Sequence, residues 1–145
     1  MAVIKYQRGS TTSVLTTELN GMSVGNRVLS AAIDNTTDLY LFEDLLLSTA
    51  AIGSAFDAGG IFSVFLIEAM DDTNYVDGNA STEPAQNDMV GSFNVRAVTS
   101  AQKHTVRGIT LPPTKYKYLI KNEAGQSLAA SGSTLQRRAY RYQSG

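Results

Sequence analysis

The residues predict an all-β chain folded as an antiparallel two-sheet β-sandwich, jelly-roll-like, with about eight strands. Three observations carry this. Apolar residues alternate with period two along most of the chain, whereas helical spacing is rare. Clusters of Gly, Asn, Asp and Pro interrupt the alternation at the spacing typical of sandwiches and barrels. Finally, 145 residues with 43% apolar and 17% charged side chains can bury one continuous core, so a single domain over 1–145 is expected.

Taken in order, residues 1–13 run through Gly9-Ser10-Thr11-Thr12-Ser13 without core periodicity and read as an N-terminal arm that orders against a partner. Val14 to Leu19 is a weak first strand, and Arg27 to Asp34 a second that stops at the turn-forming Asp34-Asn35-Thr36-Thr37-Asp38. Leu39 to Ser48 places Leu39, Leu41, Glu43, Leu45 and Leu47 on one face and Tyr40, Phe42, Asp44 and Leu46 on the other. Both faces are largely apolar, as in a strand covered on both sides. The same residues also fit a short helix. A glycine-rich link, Thr49 to Gly60, leads to Ile61 to Met70, the most β-prone run.

Met89 to Val98 alternates as a half-buried strand, and Lys103 to Leu111 ends at Pro112-Pro113, which cannot donate to a ladder. Lys115 to Asn122 opposes Tyr116, Tyr118 and Ile120 to Lys115, Lys117 and Lys121. Leu128 to Gly132 is short, and Thr134 to Tyr142 is the last strand. The expected core contains Leu41, Phe62, Val64, Leu66, Phe93, Val95, Ile109, Tyr118 and Ile120.

Several chemistries find little support. There is no cysteine, hence no disulfide, thiolate nucleophile or Cys-type zinc site. His104 is the only histidine and reads as a surface or rim residue, not as part of a triad. Asp71, Asp72, Asn74 and Asp77 could offer oxygens to calcium, but they lack the EF-hand spacing and read as a wide turn, with Gly78 to Asp88 forming a mobile loop. No catalytic, cofactor or metal residues are assigned. The N-terminus lacks a basic-then-apolar signal pattern, so neither export nor membrane insertion is expected. The sequons at Asn35-Thr36-Thr37 and Asn79-Ala80-Ser81 are then turn composition.

Net charge is −1 but unevenly spread: residues 1–95 carry three cations against twelve carboxylates, and residues 96–145 nine against one. Cross-strand pairing between the halves is the simpler outcome, and an assembly dipole the other. The end of the chain, Arg137-Arg138-Ala139-Tyr140-Arg141-Tyr142, mixes cations with aromatics. Alternation puts Arg137, Ala139 and Arg141 on one face, and Arg138, Tyr140 and Tyr142 on the other, suited to pairing with the acidic 39–44 region. A pI near 5.7 argues against nucleic acid as a partner.

Asp72-Thr73-Asn74-Tyr75-Val76-Asp77-Gly78, Thr99 to Gly108, Leu111-Pro112-Pro113-Thr114-Lys115-Tyr116-Lys117, Lys121 to Gly125 and Ala129 to Leu135 together resemble a family of small virion proteins of tailed bacteriophages, over roughly residues 30–142. The resemblance implies a structural protein on the capsid surface, assembled in the host cytoplasm: a capsid decoration or cement protein joining capsomers. Its partners would be the major capsid protein and further copies of itself, with three-fold assembly the favoured arrangement. A head-tail connector, a tail accessory protein or a carbohydrate-binding host-surface module are the alternatives. The expected contact residues are Lys5, Arg8, Arg137, Arg138, Tyr140, Arg141 and Tyr142.

Overall fold

The computed structural model describes residues 3–145. Ten strands form two antiparallel sheets, so the two-sheet sandwich is what the chain adopts, and no α-helix occurs among the described residues. In sheet A the order is β1 (Ile4–Arg8), β10 (Thr134–Ser144), β5 (Phe42–Thr49), β8 (Gln102–Thr110), with β2 (Thr12–Leu15) beside β10 next to β1. In sheet B the order is β3 (Arg27–Leu29), β9 (Lys115–Glu123), β6 (Ile61–Ala69), β7 (Met89–Asn94), with β4 (Ile33–Asp34) also on β9.

Alternation decides which side chains meet between the sheets. Leu45 and Leu47 of β5 and Leu135 and Ala139 of β10 face Phe62, Val64, Leu66, Phe93, Tyr116, Tyr118 and Ile120 across one core. Eight of the nine residues expected in the core are buried there. Leu41 is not: it is 43% exposed, because β5 begins only at Phe42 and residues 39–41 lie in the loop before it, where Leu39 takes a left-handed φ of 51°.

Other departures have equally local causes. Residues 4–8 and 12–13, expected within an arm, lie in β1 and in the start of β2, because the long β10 offers each a partner. Residues 1–2 of that arm lie outside the described residues. The expected strand 14–19 ends at Leu15 and becomes a 3-10 turn over Thr17–Leu19 that buries Leu19. The strand 27–34 divides into β3 and β4, where Ser30 Oγ accepts from the Tyr118 N–H at 3.0 Å. Residues 128–132 form no strand; Leu128 instead closes the core while its N–H donates to Met22 O.

Two buried asparagines pin the loops. Asn35 Nδ2 donates to Tyr40 O and Pro112 O, both at 2.9 Å, and its Oδ1 accepts from Tyr40 N–H, so this sequon asparagine is spent inside the fold. Asn122 Nδ2 donates to Met22 O and Gln126 O in the same manner.

Candidate functional site

The two sheets differ in what lies on their outer sides. Both faces of β6 are buried, since Phe65 and Ile67 pack outward with Leu119, Leu29, Met89 and Tyr75 in a second apolar cluster. The segment between β6 and β7, which contains the acidic stretch 71–78, supplies that cover. Asp71 Oδ1 accepts from the N–H groups of Thr73 and Asn74, and its Oδ2 accepts from Asn74 Nδ2, which closes a tight turn. Those bonds, the Asn74 N–H first, lower the Asp71 pKa to about 2.

Val76 then donates its N–H to Glu68 O, and Tyr75 lies under the Lys117 ammonium, 4.1 Å from the ring centre. Gly78, at φ 146°, runs so close to β6 that a Cβ would stand 2.8 Å from Ile67 Cδ1. Glu83 fastens the far end, pairing with Arg27 and, at 2.8 Å, with Lys121. The acidic stretch is therefore a turn within a cover that the chain provides for its own sheet B. Among the described residues, no three His, Asp or Glu side chains converge as a metal site would require.

Sheet A has no such cover. Cross-strand register places Tyr6 opposite Tyr142, Arg8 and Phe42 opposite Tyr140, and Arg138 opposite Asp44, all on the side away from the core. Tyr6 contacts Tyr142 and Tyr140 at centroid distances of 5.3 and 5.7 Å, and Phe42 contacts Tyr140 and Tyr142 at 5.5 and 5.8 Å. Such ring pairs contribute about 0.5–1.5 kcal/mol each beyond area burial. Tyr6 and Tyr142 nevertheless remain 63% and 51% exposed.

Tyr6, Arg8, Asp44 and Tyr140 line an open groove of about 470 Å³. Beyond it, Leu46, Thr105, Gln136 and Arg138 line a smaller recess. Burial, and next the Asp44 carboxylate, push the Tyr140 hydroxyl upward; its hydrogen bond with Tyr6 does the same for Tyr142. Both rings thus remain neutral at physiological pH and can donate hydrogen bonds. Arg8, Arg138, Arg107 and Lys103 outnumber Asp44, so the face is basic as well as aromatic.

The expected contact residues divide accordingly. Arg8, Arg138, Tyr140 and Tyr142 share this face. Lys5 points to the opposite side of β1, opposite Gln143. Arg137 turns inward, where its Nη1 donates to the fully buried Glu43 at 2.8 Å. Burial pulls the Arg137 pKa down, yet the Glu43 hydrogen bond and charge outweigh it and the net direction is up. Arg141 is also taken: it donates to Gln7 Oε1 and Asp38 O, and stacks over Tyr40. Phe42 and Tyr6 were missed. The sequence reads Phe42 as part of a covered strand face and Tyr6 as part of an arm without alternation, although I-K-Y-Q-R at 4–8 carries a strand signal.

His104 lies half-buried, its Nε2 against Gln102 Oε1 at 2.8 Å, and burial followed by the Arg96 charge lowers its pKa. It is remote in register from the aromatic face, pairing with Leu47.

No protein-family model matches the chain, and no curated protein matches it. Among solved structures it is similar to the CBM36-1 domain of a multidomain xylanase from the hindgut metagenome of Trinervitermes trinervoides, at 8% identity and TM-score 0.44 over 99% of this chain and 97% of that one. The K1 cleaved adhesin domain of Lys-gingipain from Porphyromonas gingivalis W83 matches at 12% identity and TM-score 0.38, over 95% and 72%. The N-terminal cellulose-binding domain of Cellulomonas fimi β-1,4-glucanase C matches at 14% identity and TM-score 0.31, over 92% and 80%. Likeness this distant carries no argument about a ligand.

Proposed function

We propose that the chain is a non-catalytic structural protein of a tailed-bacteriophage virion, in the first place a capsid decoration protein that docks on the major capsid protein through the outer face of sheet A. One observation carries the docking assignment: the chain covers the outer face of sheet B with its own segment, yet on sheet A leaves Tyr6 and Tyr142 exposed beside the half-buried rings of Phe42 and Tyr140. Exposed tyrosines flanked by arginines are the composition of protein-protein hot spots, since both give large contact area and donate hydrogen bonds at low entropic cost. The basic surplus suits an acidic partner surface. The virion assignment rests on the resemblance over residues 30–142. Counting copies per particle by quantitative mass spectrometry tests it. Copies in proportion to the major capsid protein support decoration, about a dozen or fewer point to a ring-shaped connector or tail part, and none removes the virion reading.

A second reading, a carbohydrate-binding module, is favoured by the groove itself. Tyr6 could stack on a sugar ring while Asp44 and Arg8 meet its hydroxyls. Calorimetric titration with soluble polysaccharides tests it: saturable binding that Tyr6→Ala abolishes supports this reading, and no heat at millimolar sugar rejects it.

A further inference from the structure

The backbone of β1 has a direction that its side chains do not reveal. Gly145 N–H donates to Val3 O at 2.7 Å and Gly9 N–H donates to Ala139 O at 2.8 Å, bracketing the register Ile4↔Ser144 to Arg8↔Tyr140. Antiparallel partners alternate between bonded and non-bonded pairs, so Val3, Lys5, Gln7 and Gly9 aim their backbone groups at β10. Ile4, Tyr6 and Arg8 consequently aim theirs outward, along an edge that no strand among the described residues occupies. The edge has neither a proline nor a bulge to blunt it, and Ile4 is 72% exposed beside Tyr6.

We propose that this edge receives β1 of a second copy of the chain, antiparallel, about a two-fold axis at Tyr6. A second copy covers the exposed Ile4 and Tyr6 with its own Arg8 stem and Tyr6 ring, and like-charge avoidance selects the register. A two-fold axis at Lys5 would oppose two lysines, and one at Arg8 two arginines, each unfavourable. Axes at Ile4 or Gln7 leave fewer residues paired. The axis at Tyr6 pairs the full strand with no like charges opposed: Ile4 meets the partner's Arg8, Lys5 meets the partner's Gln7, and Tyr6 meets the partner's Tyr6. About six backbone hydrogen bonds result. Two copies of sheet A become one continuous sheet, and their aromatic clusters meet across the axis on the same outer side. This pairing does not depend on what that face binds, and it replaces the three-fold arrangement with a two-fold one.

The test uses the full chain and two kinds of variant. Tyr6→Cys and, separately, Arg8→Cys each introduce one thiol into a chain that has none. At the proposed axis opposed Cα atoms lie about 5.5 Å apart, within disulfide reach, whereas two Arg8 positions lie roughly 13 Å apart. Tyr6→Cys should form a disulfide-linked dimer under mild oxidation while Arg8→Cys does not. In sedimentation equilibrium, Ile4→Glu, facing the partner's Arg8 twice, should tighten the dimer roughly fivefold, and Ile4→Arg should weaken it by a similar factor. Cross-linking of Arg8→Cys as fast as Tyr6→Cys overturns the register. Wild type and both Ile4 variants sedimenting alike as monomers, with unchanged circular dichroism, overturns the pairing.

Discussion

Tyr118 on β9 donates its hydroxyl to Glu43 Oε1 on β5 at 2.6 Å, a hydrogen bond that joins the two sheets through the middle of the apolar core. Tyr116 donates to the same oxygen at 2.8 Å and Arg137 to the other, so one fully buried carboxylate receives donors from both layers. A carboxylate so placed is tolerable only while its partners remain.

Arg137→Leu should therefore destabilise the protein by about 3–5 kcal/mol, since it leaves the Glu43 charge in the core. Adding Glu43→Gln should recover part of that loss, because the amide oxygen still accepts from the tyrosines. Urea unfolding of both single variants and the double variant measures the coupling. Additive losses would mean that the pair does not act as a unit.

The same network sets an alkaline limit. Burial, followed by the Glu43 charge, raises the pKa of both Tyr116 and Tyr118 above the usual 10.0. A folded-state pKa above the unfolded value gives stability that is complete below the unfolded pKa and declines as pH rises beyond it. Stability should hold up to about pH 10 and fall above it. Of the seven tyrosines, these two should ionise only as the chain unfolds, seen as a late step in tyrosinate absorbance coincident with loss of the β-sheet signal.

At the acid end, Asp71 works in the opposite sense. Its folded pKa of about 2 lies below the ordinary 3.8, so its contribution is present above pH 4 and lost as pH falls toward 2. Asp71→Ala should speed hydrogen exchange at Thr73 and Asn74 at neutral pH and leave exchange in β9 unchanged.

Gly78 holds the cover on sheet B. Gly78→Ala adds a Cβ beside Ile67 at a φ that L residues rarely adopt, and should cost about 1–3 kcal/mol. Exchange protection should fall around Phe65 and Ile67, with sheet A unaffected.

The β-prone run at 61–70 and the alternation in 115–122 are enough to identify the two central strands of sheet B, and the expected Phe62, Val64, Tyr118 and Ile120 are buried together. The pairing of 134–142 with the acidic 39–44 region was likewise legible, down to the faces of Arg137 and Arg138. The open outer face around Phe42 is not. An apolar residue on a strand reads as buried whether or not something covers it, and the cover is a tertiary fact: residues 70–88 lie over sheet B and leave sheet A bare. The internal bonds of Arg137 and Arg141 are hidden for a related reason, since a cation's composition does not reveal that Glu43 or Gln7 accepts from it.

The most direct test of the docking account is the binding of wild-type protein, and of a Tyr6→Ser/Tyr142→Ser variant, to capsids of the parent phage that lack it, measured by co-sedimentation. Both side chains are more than half exposed, so the variant should fold normally. The account predicts saturable binding by the wild type at copies proportional to the major capsid protein, and at least a tenfold loss in the variant, consistent with about 2 kcal/mol for a pair of hot-spot aromatics. Equal binding by a correctly folded variant would contradict it.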